Sequence, residues 1–266
     1  MHMPLAPDRT GPTLKLHRDG DSGEVSCLEP WASDGAKPPV PNKGTVLAVS
    51  NLDSGVAGHL PYRTTRGGAR NRADRESHAL TAAQIGNLKA ARRHAKKIGL
   101  PFNRMISIHW QAAGLPVAGM AKATGRFLDL MTKALARHGS RTAWLWVHEN
   151  GDGKGGHCHV LAHVPAALVP TLTGLQRRWL RSITGQPYRR RVIHSDPIGG
   201  RLDLEVGNPD LHATNLDAAL AYVLKGADPA AARQFDLTVL EPGGCVIGKR
   251  CGTSQNISAK ARAAHA

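Results

Sequence analysis

The chain has 266 residues, with 35 Lys+Arg against 20 Asp+Glu and a formal net charge of +15. Hydrophobic residues make up 41%, enough to bury a core, but no apolar run reaches the roughly 18–20 residues of a membrane-spanning helix, and no basic-then-apolar secretion signal opens the chain. Four cysteines cannot frame a disulfide scaffold at this length, so a cytoplasmic protein with no membrane partner is expected, and the positive excess points to a polyanion, nucleic acid before lipid.

Residues 1–76 are rich in Pro and Gly, show no sustained apolar period, and read as a flexible basic leader. Packed structure is expected from Ser77. Thr81 and Gln84 have the spacing of a capping box, and Ile85, Leu88, Ala91, Ala95 and Ile98 repeat at helical intervals until Gly99. The other face of that helix carries Lys89, Arg92, Arg93, Lys96 and Lys97.

Residues 104–110 then alternate as a strand. Residues 119–138 carry Phe127, Leu128, Met131 and Leu135 as the stripe of a second helix. Strands are predicted over 142–149 and 157–164, joined through 150–156, where four of seven residues are Gly. A third helix is expected over 168–183, with Arg177, Arg178 and Arg181 outward. A strand pair follows at 191–194 and 201–206. A last helix capped by Thr214 or Asn215 runs to Leu224.

This order predicts an α+β fold, an antiparallel sheet with helices packed on one face. The expected division is leader 1–76, domain 77–228 and a partly flexible C-terminal extension 229–266.

Two glycine-rich stretches are decoys. The segment from Gly243 to Lys249 matches a phosphate loop until Arg250 stands where Ser or Thr must reach magnesium. The loop from Gly151 to Gly156 precedes a strand rather than the helix a dinucleotide site needs. Cys245 and Cys251, with five residues between them and no second Cys/His pair near, read as ordinary cysteines.

The informative group is on the hairpin. His157 and His159 are two apart on a strand and leave the same face, and folding over the loop brings Glu149 opposite them. Two imidazoles and a carboxylate can hold a divalent ion with positions left open for substrate. A polar, exposed strand face would show the same His-X-His spacing. His148 competes with Glu149 as third ligand, since a shift of one residue exchanges them. His163 reads as structural or DNA-proximal.

Gly-Gly-His157-Cys158-His159-Val160 resembles the histidine motif of HUH endonucleases, the superfamily of rolling-circle replication initiators. An apolar strand upstream (Met105 to Trp110) and Ala221-Tyr222-Val-Leu-Lys225 downstream complete that family's three landmarks in order. Cys158 stands where a bulky aliphatic is usual, and no Walker A motif for a fused helicase is present. The resemblance covers roughly residues 80–228. It implies an RRM-like (ferredoxin-like) core, a Mg2+ or Mn2+ ion on His157, His159 and Glu149, and Tyr222 as nucleophile with Lys225 beside it. Its product would be a 5′-phosphotyrosine link and a free 3′-hydroxyl.

Elimination reaches the same tyrosine. Tyr62 lies in the leader and Tyr188 in a basic turn, whereas Tyr222 lies in a helix with Lys225 near its face. A neutral phenol is a poor nucleophile at pH 7, so charge stabilisation by Lys225 and a metal would be needed.

Arg92, Arg93, Lys96, Lys97, Arg177, Arg178, Arg181, Arg189, Arg190 and Arg191 are then candidates for phosphate contacts, and a strand-borne Trp for base stacking. The partners implied are single-stranded or hairpin DNA at an origin and a host helicase. A tyrosine after the histidines favours an initiator or transposase over a mobilisation relaxase. The alternatives are a non-catalytic basic nucleic-acid-binding protein and a zinc hydrolase built on the same hairpin.

Overall fold

The computed structural model describes residues 74–265, so the expected leader lies almost wholly outside the described residues. The first helix, α1 (Ala82–Lys97), begins as its sequence dictates. Thr81 Oγ1 accepts the Gln84 N–H at 3.3 Å, and Gln84 Oε1 accepts the Thr81 N–H at 2.9 Å, which satisfies two of the helix's free donors. Then come β2 (Arg104–Ile108), α2 (Met120–Arg137), β3 (Trp144–Gly151), β4 (Gly155–Ala162), α3 (Val169–Thr184) and β5 (Ile193–Pro197). A two-residue strand, β1 (Glu76–Ser77), precedes α1.

The chain closes with α4 (Leu204–Gly207), α5 (Pro209–Val223), α6 (Pro229–Gln234), β6 (Val246–Ile247), β7 (Cys251–Thr253) and α7 (Ala259–Ala263). No helix among the described residues is long and apolar enough to cross a membrane.

The main sheet has the order β5-β2-β4-β3-β7, and every pairing is antiparallel. The run from β2 to β5 is two interleaved β-α-β units, the connectivity of a ferredoxin-like core. The α+β class and the antiparallel sheet are those expected. The two helices of that core, α2 and α3, share one face as expected, and α1, α5 and α6 cover the other.

Ile106, Ile108, Trp146, Cys158 and Val160 pack against Phe127, Leu128 and Met131 of α2 and Trp179 and Leu180 of α3. The alternate residues Leu145, Val147 and Leu161 pack against Ile85 and Leu88 of α1, Leu216 and Leu220 of α5, and Ala231 of α6. The physical reason is that β3 and β4 are apolar on both sides, which only a sheet covered twice can use. Each such Leu or Phe side chain contributes about 1.5–3 kcal/mol on burial.

Three further expectations are corrected. Residues 201–206 form a turn and α4 rather than a strand, because Gly199, Gly200 and Asp203 hold positive φ values (80°, 76° and 56°) that no strand accepts. The last helix starts at Pro209, not near Thr214, because Asn208 Oδ1 caps the Leu211 N–H at 3.0 Å and Pro209 suits the first turn. Residues beyond 228 are not merely appended: β7 pairs with β3, β6 pairs with β1, and Val246, Cys251 and Ile257 are buried. Strands of two and three residues are too short for a periodic signal.

Candidate metal and nucleophile site

The β3–β4 hairpin sets the site by register. Glu149 pairs with His157 and Val147 with His159, so Glu149, His157 and His159 share the face that α1 and α5 cover. All three are buried, and their ligand atoms lie within 4.8 Å of one another. Gly155, at φ 62°, turns the chain here; a Cβ on it would come 2.5 Å from Gln111 Oε1, and that oxygen accepts the Gly156 N–H at 2.9 Å.

Each imidazole is oriented through its other nitrogen. His157 Nδ1 donates to the Gly155 carbonyl at 2.8 Å, which fixes the ring with Nε2 3.2 Å from Glu149 Oε2. His159 Nδ1 lies 2.8 Å from Ser107 Oγ, and its Nε2 stands 3.7 Å from the same carboxylate oxygen. His159 Nε2 and Glu149 Oε1 are buried without a hydrogen-bond partner. Acceptor atoms converging in this way suit a cation between them, and nitrogen–oxygen donors suit a divalent ion.

The electrostatics agree. Burial alone would raise the Glu149 carboxyl, but His157, His159 and the Lys225 charge hold it well below the usual carboxylate range. Burial lowers the His159 pKa against the opposing pull of Glu149, which keeps the ring neutral as a ligand must be.

Tyr222 lies in the last turn of α5, half-buried, with its ring edge-on to His159 at 5.1 Å between centroids. Lys225 comes just past the end of that helix, which closes at Val223 with Leu224 as its cap. Its Nζ is 4.4 Å from the Tyr222 ring centroid, 3.2 Å from Glu149 Oε2 and 2.6 Å from Glu241 Oε2. Burial works against the Lys225 charge, yet the two carboxylates more than offset it and raise its pKa. The hairpin, Tyr222 and Lys225 are therefore brought together.

His148 is not. Its ring is on the opposite face and fully buried, with Nδ1 donating to the Lys249 carbonyl at 2.9 Å and Nε2 accepting from Thr124 Oγ1 at 2.8 Å. Thr124 Oγ1 in turn accepts the Trp110 indole N–H at 2.8 Å, so every polar atom of that chain has a partner. Trp110 and Trp146 are core residues. His163 Nδ1 donates to the Pro101 carbonyl at 2.8 Å, a structural bond.

The basic candidates do not form one tract. Those of α1 lie over the Tyr222 face, and Arg92 pairs with Asp217 of α5 at 2.8 Å. Arg177, Arg178 and Arg181 of α3 are on the other side of the sheet, where Arg177 stacks on Tyr188 at 5.3 Å. Arg189, Arg190 and Arg191 follow α3 and are exposed.

Sequence reasoning missed three neighbours. His109 stacks on His157 at 5.3 Å, His194 meets His109 edge-on at 6.1 Å, and Glu241 anchors Lys225. Burial, with help from the nearby histidines, lowers the His109 pKa to about 4. Alternation along β2 could have found His109, since Ser107 and the residue two beyond it share the face of His159. Nothing in the sequence near Glu241 signals a partner.

No protein-family model matches the chain, and no curated protein matches it. Among solved structures it is similar to the N-terminal nuclease domain of minute virus of mice non-structural protein 1, at 17% identity and a TM-score of 0.19 over 36% of this chain. The chain spans about a third (36%) of that structure, which is described as having a unique Zn2+ coordination in its active-site pocket and a novel mode of DNA recognition at the origin of replication.

Proposed function

We propose that this chain is a metal-dependent endonuclease and strand transferase for single-stranded DNA, of the HUH replication-initiator type, with Tyr222 as nucleophile. One observation carries the reading: a buried Glu149–His157–His159 cluster has an unpartnered imidazole nitrogen, and a tyrosine ring stands against that same imidazole. Glu149, His157 and His159 would hold a divalent ion, Mg2+ or Mn2+, which polarises a phosphoryl oxygen when bound.

Tyr222 Oη attacks the scissile phosphorus and gives up its proton. The bond to the 3′-oxygen breaks, that oxygen takes a proton, and the 5′-phosphate remains on the tyrosine. Lys225, whose charge the carboxylates of Glu149 and Glu241 preserve, stabilises the phenolate and the charge building on phosphoryl oxygens. Reversal by a free 3′-hydroxyl rejoins the strand, so one tyrosine serves one cleavage at a time. Initiation of rolling-circle replication is the role that fits a tyrosine placed after the histidines; transposition uses the same steps.

The test is direct. Single-stranded DNA and Mn2+ should yield a protein–DNA adduct that survives denaturant, and Tyr222→Phe should abolish it while DNA binding persists. DNA binding without adduct in the wild type would instead support a non-catalytic binding protein, and hydrolysis without adduct a zinc hydrolase.

A further inference from the structure

We propose that Glu76, His78 and Cys245 form a second divalent-metal site, selective for Zn2+, that staples β1 to β6. The register of this ribbon pairs Glu76 with Ile247 and Ser77 with Val246, and continuing it one step past the strand ends sets His78 opposite Cys245. Alternation then places Glu76, His78 and Cys245 on one face. The opposite face is committed to the interior: Val246 is buried, and Ser77 Oγ accepts from Arg250 Nε at 3.0 Å. The three ligand atoms lie within 4.8 Å of one another.

Two donors on one tetrahedral zinc ion stand roughly 3.4–3.6 Å apart, so side-chain rotations that close about 1 Å bring all three into reach. Glu76 and His78 are exposed and have room for them. A thiolate beside an imidazole selects zinc over magnesium or manganese, and water can complete the tetrahedron. Cys245 loses its thiol proton to solvent on binding, so uptake releases a proton.

The staple bears on the strand that carries Glu149. Asn150, the next residue, donates its backbone N–H to the Gly243 carbonyl at 2.9 Å and its Nδ2 to the Cys245 carbonyl at 2.9 Å. Between them Gly244, at φ 63°, lies so close that a Cβ would sit 1.7 Å from the Asn150 carbonyl oxygen. An ion on Cys245 therefore fixes the segment against which the end of β3 is hydrogen-bonded. It also ties together stretches far apart in sequence, where a clip restricts the unfolded chain most.

Cobalt substitution tests this on the full chain. A Co2+–thiolate complex gives an intense near-ultraviolet charge-transfer band, and the Glu149–His157–His159 cluster, having no sulfur, does not contribute to it. The wild type should develop the band, Zn2+ should bleach it, and Cys245→Ser should lose it. His78→Ala should weaken Co2+ binding read at that band by at least about tenfold, the loss that even an outer-shell partner brings. Zn2+ should raise the unfolding midpoint of the wild type more than that of Cys245→Ser. A wild type that shows no band at saturating Co2+, a band unchanged in Cys245→Ser, or unchanged affinity in His78→Ala would overturn the assignment.

Discussion

Lys225 Nζ lies 3.2 Å from Glu149 Oε2, with 2% and 4% of the two side chains exposed to water. Two charges so thoroughly withdrawn from solvent hold each other only as a pair. The lysine is kept there by its far partner Glu241, whose side chain remains 49% exposed. The fold thus sets a cation beside the carboxylate and beneath the Tyr222 ring.

Removing that cation should be costly. Lys225→Met should lower unfolding free energy by about 3 kcal/mol, the low end for breaking a buried pair, because Glu241 stays half in water. Adding Glu149→Gln should restore part of the loss by removing the uncompensated charge. Urea unfolding of the single and double variants decides it; a loss below about 0.5 kcal/mol would put the pair in the class of surface bridges.

Metal affinity should follow the orientation of the imidazoles. His157→Ala and His159→Ala should remove high-affinity Mn2+ binding and metal-dependent cleavage, and Glu149→Ala should weaken both. Ser107→Ala should cost about 10–100-fold, the range for a group that orients a ligand, since Ser107 Oγ contacts His159 Nδ1 at 2.8 Å. His148→Asn should leave affinity unchanged. Calorimetric titration with Mn2+ checks all five, and a large effect at His148 with none at Glu149 would exchange their roles.

Acid should destabilise the fold before the carboxylates titrate. Burial lowers the His148 pKa from its ordinary 6.5 to about 4. The unfolded chain therefore takes up a proton below pH 6.5 that the folded chain refuses until about pH 4. Stability from this group is full above 6.5 and is lost as pH falls to 4, in all about 3 kcal/mol. His148→Asn, which can still donate to the Lys249 carbonyl, should flatten the stability–pH slope in that window. An unflattened slope would assign the acid sensitivity to other groups, His109 first.

Much of the site was legible because it rests on local pattern. The His157–Cys158–His159 alternation and the Gly-rich turn point to a hairpin without help from the rest of the chain, whereas the choice between Glu149 and His148 waited on the register, which pairs Glu149 with His157. The capping box at Thr81 and the Tyr222–Lys225 spacing were equally local. What escaped depends on long-range pairing. Arg250 is fully buried against Ser77, Gly243 and His148, yet in sequence it looks like one more surface charge. The second covered face follows from Leu145, Val147 and Leu161 alternating with Trp146 and Val160, a doubly apolar pattern that reads as one strong strand. Asn208 and Pro209 were readable as a helix start, and the later Thr214 and Asn215 masked them.

The two basic helices lie on opposite sides of the sheet, and salt dependence can tell which of them a DNA strand follows. A strand reaching Tyr222 must pass over the α5 face, where α1 packs and where Arg93, Lys96 and Lys97 are exposed. Arg92 is already engaged with Asp217, so Arg93, Lys96 and Lys97, the last hydrogen-bonded to the His265 carbonyl at 3.1 Å, carry the three charges left to neutralise phosphates. At roughly −0.7 in log–log slope per phosphate on a single strand, replacing Arg92, Arg93, Lys96 and Lys97 by Gln should flatten the salt dependence by about 2. Replacing Arg177, Arg178 and Arg181 by Gln should leave it unchanged. Sequence preference should survive both changes, because backbone contacts set position while base contacts specify. Binding measured over a salt series gives the slopes, and flattening confined to the α3 variant would route the strand across the other face, away from Tyr222.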